Sequence, residues 1–343
     1  MDRFSLDDIT RNFDEYTRTF RGFSLLDDDR LVWLGTGLAS ALSCHACYTL
    51  GSSRLSAHLS QAYGQLSTKD KKDWNSRYSS TFHAVVITVL ATYIICCTDA
   101  FDESPGNKRQ AIPLMFRSTR LTQAALGTSL GYFIMDLYIV AVHYPEMGGP
   151  EMLLHHTAAL LSVLASACYG QAHLYTLILL GTEVTTPFIN MRWVLDRVGW
   201  RQTRAYIANG VCLFVTWFLG RVLMFVWFFW HIYQHRAQLK LLNWPPMILI
   251  TTVPPLLYAL NLFWFGKICN GLRKLLQSRK HKVPMDEKAD RSEQQILASL
   301  IPTISSATAN LIPQAKAVAA AAVSSPQRRG TSAKLQNGRK HAE

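Results

Sequence analysis

Four ionisable side chains sit inside stretches too apolar to be surface: Asp136 within Gly131-Tyr132-Phe133-Ile134-Met135-Asp136-Leu137-Tyr138, His155 and His156 at the start of the following run, and Glu183 in the run after that. At membrane depth such a group costs at least ~2.5 kcal/mol, so it faces a partner or a wet cavity and not lipid. The span from Asp136 to Glu183 covers forty-eight residues. A single shared cavity would account for all four.

The apolar residues of this 343-residue chain, 49% of the total, cluster in runs near twenty long. That length matches a bilayer core. The expected fold is therefore all-α and polytopic, with about seven transmembrane helices at 31–50, 80–98, 121–142, 152–169, 172–190, 206–233 and 247–264. The third, fourth and fifth are joined by short links, which makes them antiparallel neighbours. The sixth is unusually long and interrupted by Arg221, so tilt or projection beyond the hydrocarbon is expected. Pro254-Pro255 should kink the seventh.

Residues 1–30 read as a polar N-terminal arm without the apolar core of a cleavable signal peptide. Residues 31–73 hold the first transmembrane helix and a basic loop, 74–280 the main transmembrane domain, and 281–343 a basic, disordered tail. Within the tail, 295–323 suits a surface-lying helix better than a further span. The net charge of +12 arises mainly near the C-terminus, where fourteen Lys/Arg face five Asp/Glu from Lys267 onward. Basic residues past a last span reflect orientation and anionic headgroups, and with no recognition motif beside them they give no reason to expect nucleic acid as a partner. The Lys/Arg bias of the loops favours a cytosolic C-terminus. Seven cysteines, an odd number mostly within apolar runs, read as small buried hydrophobes. Cys44-His45-Ala46-Cys47 lacks a second ligand pair, so no metal is expected. Nothing in the pattern specifies an oligomer.

With that topology, Asp136 lies ~9 Å, Glu183 ~10 Å, and His155, His156 and His83 each ~5 Å inside the same membrane face at the helical rise. A polar pocket open to the cytosol above a more apolar chamber would result. The adjacent imidazoles of His155 and His156 diverge by ~100°, so one is expected to face the pocket while the other bonds a neighbouring helix. Arg221, near mid-membrane, needs a partner, which Asp136 or Glu183 would supply. His83 at a helix entrance is more often structural than functional. Pro187 lacks the N–H that would close a helical turn on the carbonyl of Glu183, and so should bend the fifth span there. The chemistry that needs such groups is proton transfer: a neutral imidazole takes a proton from an amine or hydroxyl while a carboxylate fixes its tautomer. Acyl transfer from a thioester to a lipid would suit the pocket, although spacing alone says no more than a polar site in a helical bundle.

The residues Gly131-Tyr132-Phe133 with Asp136, the His155-His156 pair, and Glu183 followed by Thr186-Pro187-Phe188, Asn190, Arg192 and Trp193 resemble the TLC-domain family, from about Trp74 through Lys280. The likeness is to the smaller TLC-domain-containing proteins more than to ceramide synthases, since Thr185, Thr186 and Pro187 stand where further acids would be sought. The resemblance implies a six-helix core with one preceding helix. It also implies a membrane lipid as partner, a role in lipid homeostasis, and the endoplasmic reticulum or another secretory-pathway membrane as location. Two readings follow. In one, the pocket binds a lipid without a cofactor. In the other, the protein is an acyltransferase with acyl-CoA as co-substrate and His155 and His156 as the catalytic base pair. Glu183 and Asp136 would then be supporting carboxylates, with His83, Arg221 and Arg192 contacting the ligand.

Overall fold

The computed structural model describes residues 28–104 and 106–280. Residues 1–27 of the N-terminal arm, the tail from 281 and the helix expected at 295–323 lie outside the described residues, and the last three residues of the expected arm already belong to the first helix. Every regular element among the described residues is helical. In chain order they are α1 (Asp28–Ala46, running on through a π turn at Cys47–Gly51), α2 (Ser52–Leu59), α3 (Gln61–Gln65), α4 (Thr68–Cys97), α5 (Arg120–Val142) and α6 (Pro150–Tyr169). Then come α7 (His173–Gly181), α8 (Thr186–Arg197), α9 (Arg204–Trp217), α10 (Met224–Gln234), α11 (Arg236–Leu239) and α12 (Trp244–Lys280).

Five helical stretches among the described residues are long and apolar enough to cross a membrane: Thr68–Cys97, Arg120–Val142, Pro150–Tyr169, Arg204–Gln234 and Trp244–Lys274. The chain is an all-α polytopic membrane protein. Two of the about seven expected spans fall outside these five. The first is helical, but α1 gives way to its π turn at Cys47, inside the expected range. The fifth is divided: α7 ends at Gly181, a 3-10 turn covers Thr182–Thr185, and α8 begins with Pro187 in its first turn. The carbonyl that Pro187 cannot serve is taken instead by the backbone N–H of Thr186, which donates to Glu183 O. The break is thereby satisfied within the chain, as non-helical backbone at membrane depth requires.

The basic loop expected before the second span is itself helical. Ser67 caps α4, its hydroxyl accepting from Asp70 N at 3.1 Å, so Lys69, Lys71, Lys72 and Arg77 ride on the helix that enters the bilayer. The connection at 99–119 is not simply polar either. Leu114, Met115 and Phe116 are buried, Ala172 N donates to Met115 O (2.7 Å), and Met115 N donates to Gln238 Oε1 (3.1 Å). It folds over one end of the bundle as a cap.

α5 is the central helix, buried along most of its length, as its run of inward-facing Ala125, Leu126, Leu130, Phe133, Ile139 and Val140 requires. Its most intimate neighbour is α1. A Cβ on Gly131 would collide with the carbonyl of Gly37, and one on Gly127 with the Thr36 hydroxyl, while Ser40 Oγ donates to Thr128 O at 2.6 Å. Small residues let two membrane helices touch backbone to backbone. Leu34, Leu38 and Leu42 of α1 and Val85, Val89 and Tyr93 of α4 stay exposed on the apolar exterior, where lipid replaces protein contacts.

Candidate functional site

At the end where α4 and α6 begin and α5 ends, a cavity of about 450 Å³ opens between helices. Its wall includes Asp136, His155, His156, Glu183, Arg192 and Arg221. Six of the seven site residues expected from the sequence are thus brought to one hollow. The seventh, His83, is set behind the wall, its ring stacked on Tyr132 at 3.9 Å and its Nε2 3.3 Å from Ser129 Oγ. Tyr132 and not His83 presents the surface there.

α5 and α6 place the central pair. Asp136 points from α5 toward the first turns of α6, where His156 Nδ1 comes to 2.9 Å from Asp136 Oδ2. Both side chains are almost fully withdrawn, at 6% and 10% exposure. A carboxylate against Nδ1 leaves Nε2 of the same ring as the atom able to act on something else. The two histidines do not divide as expected, because both line the cavity, which bends around the start of α6. His156 turns to Asp136, while His155 stands edge-on to Trp264 of α12 at 5.5 Å.

The broken segment and a second helix irregularity place the other pair. Glu183 occupies the 3-10 turn, its Oε2 accepting from Thr186 Oγ1 at 2.6 Å. Arg221 occupies a π turn, Phe218–Leu223, between α9 and α10, a kind of bulge that re-aims side chains in otherwise regular helices. Its Nη2 lies 3.7 Å from Glu183 Oε1, its Nε donates to Thr185 Oγ1 (2.8 Å), its Nη1 donates to Asn261 Oδ1 (3.2 Å), and the plane sits 4.9 Å over Trp217. Of the two partners expected for Arg221, Glu183 is the one used. The guanidinium is held by protein at each of its three nitrogens, so it presents its charge to the cavity from a fixed position.

Toward the mouth the wall becomes basic, with Arg77, Arg192 and Lys267 beside Asp73. Gly210 makes room for Arg192: a Cβ there would stand 2.8 Å from Arg192 Nη1, and the guanidinium lies 4.3 Å over Tyr206. Asn190 and Trp193, which share the motif, work structurally. Asn190 Nδ2 donates to Arg77 O (3.1 Å), Ser80 Oγ (3.2 Å) and Thr81 Oγ1 (2.9 Å), tying α8 to α4, and Trp193 packs beneath the Arg77 guanidinium at 4.7 Å.

Beyond the His155–Glu183–Arg221 level the protein closes. The apolar chamber expected there is reduced to about 40 Å³, lined by Val163, Leu180, Phe225 and Leu257 among others. Several wall residues escaped sequence reasoning, Asn261, Trp217, Trp264, Arg77 and Lys267, as did Thr185, which is fully buried behind the wall and holds Arg221. Asn261 left a signal, an amide in the apolar run Ala259-Leu260-Asn261-Leu262-Phe263. Trp217 and Trp264 left none, since aromatic residues in a span are ordinary.

A family model described as TLC domain matches residues 73–270. The chain is 28% identical over 239 residues to a Danio rerio protein named TLC domain-containing protein 4-B, covering 68% of this chain and 86% of the relative. It is 27% identical over 233 residues to the Homo sapiens TLC domain-containing protein 4, covering 64% and 82%. It is also 25% identical over 253 residues to an uncharacterized TLC domain-containing protein of Schizosaccharomyces pombe, covering 71% and 80%. The matched residues take in Asp136, His155, His156, Glu183, Arg192 and Arg221 of the cavity wall.

Proposed function

The chain belongs to the TLC-domain family, among relatives named TLC domain-containing protein 4 and not ceramide synthases, and from that premise we propose that the cavity binds one membrane lipid and that the protein acts in membrane lipid homeostasis. The observation that carries this reading is the joint wall of a single cavity of about 450 Å³, polar at Asp136, His155, His156 and Glu183 and apolar at Phe133, Leu213, Trp217 and Trp264. That size and mixture suit a small amphipathic ligand. Arg77, Arg192 and Lys267 at the mouth favour an anionic headgroup. They also favour a cytosolic position for this end and for the C-terminus that follows it, in the endoplasmic reticulum or another secretory-pathway membrane. Because the space past His155 is small, acyl chains would leave sideways between helices and not continue down the bundle axis.

The test is retention of lipid by the full chain purified in detergent, identified by mass spectrometry. Leu213, 4% exposed on the cavity wall, is the position to fill. Leu213→Trp should displace most of the lipid that the parent retains. Equal lipid in the two proteins, with the variant folded, would end the reading.

A second reading is favoured by the 2.9 Å contact between His156 Nδ1 and Asp136 Oδ2. There His156 Nε2 would take the proton from a lipid amine or hydroxyl as it bonds to the thioester carbonyl carbon of acyl-CoA. The thiolate would leave carrying that proton, and His155 would position the substrate. Such a base contributes ~10²–10⁴ in rate. His155→Ala/His156→Ala should then abolish product while lipid is retained, whereas a pure binding protein gives no product before or after the change.

A further inference from the structure

The opposite end of the bundle holds a second pair of histidines, remote in sequence from the first. His231 and His235 are four residues apart around the end of α10, hence on one face, and their rings lie 4.5 Å apart. The cap segment brings Glu103 to them, with Oε1 3.5 Å from His235 Nε2. One ligand atom from each of the three lies within 4.8 Å of the others.

The ring orientations are fixed from behind. His235 Nδ1 is 3.0 Å from His231 O, and a carbonyl only accepts, so this nitrogen carries the hydrogen and the Nε2 lone pair is directed at the Glu103 carboxylate. His231 Nδ1 lies 3.0 Å from Tyr175 Oη. When that hydroxyl accepts, the second Nε2 is likewise left with its lone pair. Two lone-pair groups facing each other at 3.5 Å need a proton or a cation between them. A second imidazole, with a ligand atom within 4.8 Å of the other two, favours the cation. At ~2.0–2.1 Å from a tetrahedral Zn²⁺, neighbouring ligand atoms stand ~3.4 Å apart, close to the His235–Glu103 separation. Imidazole nitrogens held by a carbonyl and a hydroxyl on their far side are the usual support of a metal ligand.

We propose that Glu103, His231 and His235 form a binding site for a divalent transition-metal ion of the Zn²⁺ class, with one coordination position left to solvent or a further ligand. The ion would pin the cap segment to the end of α10. The site is separate from the lipid cavity and does not depend on the function assigned to it.

The experiment uses the full chain without a polyhistidine tag, purified in detergent, stripped with EDTA and titrated with Zn²⁺ against a chromophoric chelator. One Zn²⁺ per chain is expected, lost in His231→Asn/His235→Asn and unaffected by His155→Ala/His156→Ala. Tyr175→Phe, which removes a supporting contact, should weaken binding ~10-fold or more. Glu103→Gln, on an exposed segment, supplies a variant that folds independently of the helix positions and should also weaken binding. Co²⁺ in place of Zn²⁺ should give the intense visible bands of a tetrahedral site in the parent chain alone. Zn²⁺ binding no tighter in the parent than in the double His variant would overturn the proposal and leave a protonated His235–Glu103 pair, as would loss of the ion on changing His155 and His156.

Discussion

The two ends of the bundle each carry a histidine pair, and the pairs differ in spacing. His155 and His156 are adjacent, so their rings diverge by ~100° around α6, and the fold uses the divergence: one ring meets Asp136, the other meets Trp264, and a cavity of about 450 Å³ is wrapped between. His231 and His235 are four apart, so their rings converge on one point where Glu103 arrives. Divergent imidazoles leave room for a ligand with extent. Convergent ones leave room for no more than an ion.

The largest effect is expected at the buried charges, because the end of the bundle that holds the cavity depends on them for its shape. Arg221 is 4% exposed and satisfies Glu183, Thr185 and Asn261 together. Arg221→Met strands Glu183 without its countercharge, and loss of one partner of a buried pair costs about 3–5 kcal/mol. Thermal unfolding of the detergent-purified chain should show this as the largest drop in Tm of any variant discussed. A drop no larger than that of a surface substitution would mean that Glu183 and Arg221 are solvated and that the wall is not what holds them. Adding lipid should recover part of the loss only if the ligand reaches Glu183.

A smaller effect sharpens the role of α1, which lies before the matched region. Gly131→Ala drives a methyl into the carbonyl of Gly37, and overpacking of this kind costs about 1–3 kcal/mol. The cavity is walled by α5 on another side, so on the proposed function retention of lipid should outlast the fall in Tm. Simultaneous loss of both would show that α1 is part of the site and not a brace behind it. Asn190→Ala, which unties α8 from α4, should cost about 1 kcal/mol for the hydrogen bonds lost. Its effect on the far-end titration with Zn²⁺ should be nil.

What was legible in the sequence follows from cost. A carboxylate or guanidinium in an apolar run is so expensive that the run itself demands a partner for it, and this singles out Asp136, Glu183 and Arg221. The break at Pro187 was legible for the same reason, as a missing donor. Cheap groups speak more softly: Thr185 and Asn261 hold Arg221, yet a lone hydroxyl in a span gives no signal and a lone amide marks its place without naming its partner. The count of spans was less legible than their composition, since hydropathy does not see the π turn after α1 or the 3-10 turn at Thr182. The far-end cluster was invisible because its third member comes from a connection of polar appearance, and only the burial of Leu114, Met115 and Phe116 folds that connection over α10.

The smallest expected effect separates the two ends most cleanly. Glu103 is on the exposed side of its contact with His235, at 54% exposure, where an ion pair is worth about 0–1 kcal/mol. In metal-free buffer, Glu103→Gln should therefore move Tm hardly at all, unlike any change at the Asp136–His156 pair, where both partners are withdrawn from solvent. In Zn²⁺ the same substitution should forfeit the stabilisation that the parent gains, because an ion that binds only the folded chain raises its stability by mass action. A single substitution that is silent without the ion and visible with it would assign the convergent pair to metal. A substitution equally costly in both buffers would make Glu103 a structural latch of the cap, and the contrast between the two histidine pairs would reduce to one of spacing alone.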